Sequence, residues 1–218
     1  MTAIRQWQRL AHELAREKGE HSLVCLECNG VPNGNNYELC RCRTGRVEVD
    51  HKSPTRISSR LALIHLAISR AVECAVKGEM TQGWQDDDGT HWGTNLPGAL
   101  SLCSDPEPVG FPIALADVFL RLCDLAESIG VALPDVTPVG GLTRECVSTP
   151  EKLLSELNYL HYVLADWTND PEDTTEEDRW GEGLTQVLFA LRRLCSACGV
   201  DLFAMAELKY AYEKGRAK

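Results

Sequence analysis

Four cysteines crowd eighteen residues near the N-terminus, as Cys25-x-x-Cys28 and Cys40-x-Cys42. Four thiolates are the number that a closed tetrahedral Zn²⁺ site uses. Asn29-Gly30, after the first pair, supplies a tight turn of the kind that aims backbone N–H groups at sulfur. The surrounding stretch, 20–52, has no helical period and few apolar residues, so it cannot build much of a core. A structural zinc knuckle would give it one, with no ligand position left open for catalysis. His21 and His51 are alternative ligands, and the plainer reading is four free, partly buried thiols. Cys195-x-x-Cys198 differs: three helical steps put both on one face, where they read as small apolar residues.

A second kind of chemistry is raised by acidic residues set within apolar helical patterns, namely Glu73, Asp117 and Asp124. Carboxylates three apart share a helix face, and two such helices facing each other make a cage of hard oxygen ligands for Mg²⁺. Which helices these acids sit on therefore decides what they can do.

The stretch 110–133 is the clearest element. Ile113, Leu115, Val118, Leu122, Leu125 and Ile129 recur at helical spacing, Pro112 suits the first turn and Gly130 the stop. Helices are also expected over 3–18, 54–77, 150–167, 179–198 and 201–214. Short strands are expected at 23–25, 37–42 and 47–50, while 78–109 reads as a long loop holding Trp84, Trp92 and Asp86-Asp87-Asp88. Leu115, Val118, Leu122, Leu125, Gly130, Val131 and Leu133 match Leu184, Val187, Leu191, Leu194, Gly199, Val200 and Leu202 at a constant offset of 69. That register suggests two related helical hairpins, about 54–133 and 150–202, each hiding the apolar face of the other. The expected class is thus all-α: one domain over 1–218, tandem hairpins forming a four-helix core, and a small Cys-rich, β-containing insertion at 20–52.

Composition sets outer bounds. The 218 residues carry 22 Lys and Arg against 32 Asp and Glu, a net charge of −10. That argues against general nucleic-acid binding, which relies on cations to release counterions. No run of eighteen apolar residues and no signal-like N-terminus is visible, so the expectation is a soluble, cytoplasmic protein without a membrane partner.

The words GFPIALADVFLRLCDLAESIG and LALIHLAISRAVE resemble the helices of MazG-like, all-α NTP pyrophosphohydrolases. Those helices read roughly G-[FI]-P-[IV]-E-L-A-D-V-x-I-R-x-x-D-L-A-x-x-x-G and L-A-L-I-H-S-E-x-S-E-A-x-E. HELAREKG likewise resembles the family's opening helix, and Lys209, Tyr210, Tyr212 and Arg216 echo its closing K-x-x-Y-N-x-x-R. The resemblance spans most of the chain outside 20–52. It implies a MazG-like four-helix core, a Mg²⁺-dependent pyrophosphohydrolase site and a homo-oligomer, or a chain whose repeat replaces one such interface internally.

Position by position, the implied metal cage is broken. Ala67 and Arg70 stand where the family has the two Glu of one helix, and Ala114 replaces the Glu of the next, leaving Asp117. In the second repeat Glu156 survives, but Tyr159, Gly183 and Gln186 hold the other places. A guanidinium where a divalent cation should sit is worse than simple loss, yet an arginine can hold a phosphate without hydrolysing it. The leading expectation is a catalytically degenerate protein that binds, and sequesters, a nucleotide or other phosphorylated small molecule. The expected ligand-binding residues are Arg70, Glu73, Asp117, Asp124, Lys209, Tyr212 and Arg216. Two alternatives stand beside it. One is an active Mg²⁺-dependent enzyme with a rearranged site of Glu73, Asp117, Asp124 and the 86–88 acids; the other is a structural or protein-interaction module.

Overall fold

A computed structural model describes residues 3–18, 54–86, 89–93, 106–135, 142–169 and 176–216. They form six helices, α1 (Ala3–Glu17), α2 (Pro54–Lys77), α3 (Phe111–Ile129), α4 (Pro150–Asn169), α5 (Glu176–Cys198) and α6 (Leu202–Arg216). Three short strands, β1 (Gly83–Asp86), β2 (Gly89–Trp92) and β3 (Glu107–Val109), and a 3-10 turn, Arg144–Val147, lie between them. None of the described helices is long and apolar enough to cross a membrane.

The centre of the molecule is α3, which packs against α1, α2, α5, α6 and β3. Its sequence leaves it no polar face: nearly every residue from Phe111 to Ile129 is buried, as befits a helix that is apolar all round. Around it α2 packs on α4 and α4 on α5, so α2, α3, α5 and α4 close a ring of four helices. Leu115, Val118, Leu122 and Leu125 of α3 and Leu184, Val187, Leu191 and Leu194 of α5 are all essentially inaccessible to solvent.

The 69-residue offset extends to the helix ends. Val131 N–H donates to the Ala126 carbonyl at 2.9 Å, and Val200 N–H to that of Cys195 at 2.8 Å. Gly130 and Gly199, at φ 81° and 70°, take the left-handed conformation that this cap demands. A third copy ends α2, where Glu79 N–H donates to the Cys74 carbonyl across Gly78.

The described strands fall between α2 and α3, in the stretch read from the sequence as loop. They form one antiparallel sheet in the order β2-β1-β3, with Asp86 opposite Gly89 at the hairpin end. The strands expected at 23–25, 37–42 and 47–50 lie outside the described residues. So do Cys25, Cys28, Cys40 and Cys42.

The first helix is bound to α3 by a polar residue in an apolar slot. Gln8, completely buried, donates from Nε2 to the Val131 carbonyl at 2.7 Å, and its Oε1 accepts from Leu133 N–H at 3.2 Å. Both bonds satisfy backbone groups just beyond the end of α3, where no helical partner remains.

Candidate functional site

Gly110 places the start of α3 against the small sheet, and a cleft of about 470 Å³ opens where α2, α3, α6 and the sheet meet. From α2 it is lined by Arg70, Glu73, Cys74 and Lys77, from α3 by Ile113, Ala114 and Asp117, and from α6 by Lys209. The sheet adds Gln85, Thr90, Trp92 and Glu107. Four of the residues singled out by sequence pattern, Arg70, Glu73, Asp117 and Lys209, thus converge here, with Ala114 between them.

Burial of Asp117, which is 9 % exposed, requires a counter-charge. Arg121 Nε donates to its Oδ2 at 3.2 Å, one helical turn away, and Arg70 Nη1 approaches the same oxygen at 3.7 Å from α2. The carboxylate is therefore neutralised by two guanidinium groups, and a Mg²⁺ ion would have to displace both. Glu73, on the rim, holds Lys77 at 2.6 Å, and that hydrogen bond pulls its carboxyl below the usual range. Lys209 is nearly buried and pairs with Glu107 at 3.3 Å and Glu213 at 2.9 Å. Burial works to raise the Glu213 carboxyl, but the hydrogen bonds and charges of Lys209 and Lys18 outweigh it, so the net shift is downward.

Nothing in this set is a ready nucleophile. Burial first, and then Glu79, pushes the Cys74 thiol up to about 11, so it stays protonated at neutral pH. The N–H groups at the start of α3 are also spoken for. Phe111 donates to the Glu79 carbonyl at 2.9 Å, Pro112 has no N–H, and Ile113 and Ala114 both donate to the Gly110 carbonyl.

The other expected site residues lie elsewhere. Ala67 is 1 % exposed and does not line the cleft. Asp124 follows Asp117 by two helical turns on α3, so the two share a face about 10 Å apart. It binds His12 Nδ1 at 3.0 Å, with Arg60 Nε at 3.9 Å, and lines a smaller recess beside α1 that shares Asp117 and Lys209 with the cleft. Tyr212 accepts a hydrogen bond from Arg216 at 3.1 Å, and neither lines the cleft. Glu156, on α4, lies near Cys146 and raises its thiol, although hydrogen bonding to Thr143 makes the net shift downward. Asp87 and Asp88 lie outside the described residues. Among the described residues no three His, Cys, Asp or Glu side chains are grouped to hold a metal ion.

No sequence pattern singles out Lys77, Glu79 or Glu107, and Trp92 stands in the stretch expected to be loop. The signal for the sheet wall was present: an Asp run followed by Gly89 favours a turn, Asp86 pairs with Gly89 at the hairpin end, and Trp84 and Trp92 flank it at strand distance. The buried thiols of α5 behave as small apolar residues. Burial raises both, Cys195 far and Cys198 to about 11. Set against protein-family models, curated proteins and solved structures, the chain matches none of the three.

Proposed function

We propose that this is a MazG-like helical protein whose metal cage has been lost, and that its cleft holds a nucleotide or another phosphorylated small molecule without hydrolysing it. One observation carries the reading: Arg70 and Ala114 line the cleft beside Asp117, where the resemblance calls for carboxylates. Mg²⁺-dependent phosphoryl chemistry needs several hard oxygens around one ion, and here the surviving acid is bound to arginines. An arriving phosphate gives Arg70 a bidentate partner, while Arg121 keeps Asp117 neutralised after Arg70 turns away. Three cations, Arg70, Lys77 and Lys209, face four carboxylates, Glu73, Glu79, Glu107 and Asp117. That balance favours a ligand with one phosphate over a free triphosphate, whose charge would meet uncompensated acids. The Trp92 indole, 47 % exposed at the edge of the cleft, offers a stacking face for a base or ring.

Titration calorimetry against nucleoside mono- and triphosphates and sugar phosphates, with and without Mg²⁺, tests the reading. Metal-independent binding of a monophosphorylated compound is expected. Because Arg70 is more than half exposed, Arg70→Ala should weaken that binding about tenfold rather than abolish it, about 1.4 kcal/mol. Rapid Mg²⁺-dependent release of pyrophosphate or phosphate by the unmodified protein would instead establish an enzyme. A screen with no ligand would favour an interaction module, for which exposed Leu66, Tyr159 and Tyr162 on α2 and α4 offer contact area.

The cysteine spacing supports a further element of the proposal, one structural Zn²⁺ on Cys25, Cys28, Cys40 and Cys42. Elemental analysis of protein purified without added metal should find about one equivalent, lost in Cys28→Ala; a trace content would end the idea.

A further inference from the structure

Two histidines, 96 residues apart, meet where α2 packs on α4: His65 Nδ1 and His161 Nδ1 are separated by 2.8 Å. The ring centroids are 5.1 Å apart and the planes differ by 9°. With the nitrogens so close, that centroid distance is reached only when the rings lie edge to edge in one plane, each nitrogen aimed at the other. The contact is therefore an in-plane Nδ1–H···Nδ1 hydrogen bond, with one ring as donor and the other as acceptor. Such a bond holds one proton between the two facing nitrogens. A first added proton can go to the Nε2 of the donor ring, and the bond then becomes charge-assisted and stronger. A second has no site but the accepting Nδ1, which would set N–H against N–H between two cations.

We propose that His65 and His161 form a proton-counting latch between α2 and α4, closed while the pair carries at most one positive charge and opened when both rings become imidazolium. The surroundings offer the second charge no relief. Burial lowers the pKa of both imidazoles, and for His161 the partner ring lowers it further. On the two helices the flanking charged groups are Arg60 and Arg70 on α2 and Glu156 and Asp166 on α4. Each stands five residues away, past one full turn and on another face. On α3 the charged groups are engaged elsewhere: Asp117 with Arg121 and Arg70, Asp124 with His12, and Glu127 with Arg5. Glu182, Arg192 and Arg193 of α5, and Arg144 and Glu145 of the 3-10 turn, are not among the main causes of either shift, which are burial and, for His161, the partner ring. The latch matters to the cleft because α2, which it ties to α4, carries Arg70, Glu73, Cys74 and Lys77.

The sign of the pH dependence follows from the lowered values. In the unfolded chain both imidazoles titrate near the ordinary 6.5, so below that pH the unfolded state binds more protons than the folded one. The stabilisation is thus complete above about pH 6.5 and is lost as pH falls through the folded values. Long-range ¹H–¹⁵N NMR of the whole protein reads the two rings directly. Their titrations should be coupled, with two steps separated by more than about one pK unit. In His161→Gln, His65 should titrate in a single step, and the fall in Tm between pH 7.5 and 5 should be smaller than in the unmodified protein. Two rings titrating independently with the same pKa would overturn the proposal, as would an equal acid loss of Tm in both proteins. Should the Gln variant fail to fold, the titration of the unmodified protein still decides.

Discussion

Gly110→Ala should remove a large part of the protein's stability, about 2–6 kcal/mol of the 5–15 typical of a domain. Two independent costs add at this residue. Its φ of 102° lies where side chains are rarely accommodated, and a Cβ there would fall 2.1 Å from the Thr81 carbonyl oxygen. The oxygen belongs to backbone and cannot swing aside, and the Trp92 ring closes the other side at 3.2 Å. Gly110 is also the joint through which β3 passes into α3, and Phe111 N–H is tied to Glu79 next to it. Relief of the clash would therefore shift the sheet wall of the cleft away from Arg70 and Lys77. Urea denaturation should show a lower midpoint with an unchanged slope. Gly215→Ala is the matched control, since nothing lies within 4 Å of its added Cβ and its helix should gain about 0.5–1 kcal/mol. A Gly110→Ala loss under about 1 kcal/mol would mean the close approach to Thr81 is not a feature of the folded protein.

The helices were legible because each is marked at both levels that sequence records, period and punctuation. Pro54, Pro112 and Pro150 open α2, α3 and α4, and Gly78, Gly130 and Gly199 close α2, α3 and α5 with the same cap. Strands of three or four residues carry too little alternation to outweigh the Gly, Pro and Asp around them, so the sheet reads as loop although the Asp run before Gly89 favours a turn. The cleft was legible in part, because Arg70, Glu73, Ala114 and Asp117 are local to two patterned helices. Lys209 was singled out too, by the closing resemblance, but its place in the cleft depends on a distant pairing. Lys209 meets Glu107 across 102 residues, and no pattern along the chain specifies that meeting. Asp124 was legible in part: helical spacing puts it on the face of Asp117, and both line the smaller recess beside α1, but only Asp117 reaches the cleft. The His65–His161 contact was invisible for the same reason as Lys209–Glu107, since each histidine alone looks like ordinary packing.

The strongest test of the proposal that a metal cage has been lost is to rebuild it. Combining Ala67→Glu, Arg70→Glu and Ala114→Glu puts carboxylates at the three positions where the resemblance calls for them, with Asp117 as the fourth. Position 67 is 1 % exposed, position 114 is 9 % and Asp117 is 9 %, so most of this charge has little access to water. Without a metal the variant should lose more than about 3 kcal/mol, as buried like charges with the Arg70 counter-charge removed. If the positions form the cage that the resemblance implies, Mg²⁺ or Mn²⁺ binds only the folded form and returns stability. The recovery would be about 2.7 kcal/mol at a hundred times the dissociation constant. Melts in EDTA and in millimolar Mg²⁺ should therefore diverge for the triple variant and coincide for the unmodified protein, whose Asp117 is held by Arg70 and Arg121. Ala67→Glu alone separates the causes: it should be destabilised by its lone buried acid and not rescued by metal. A triple variant that melts alike in EDTA and Mg²⁺ would show that α2 and α3 do not face each other as a metal cage does. The MazG-like reading would fall with it, whatever the cleft binds.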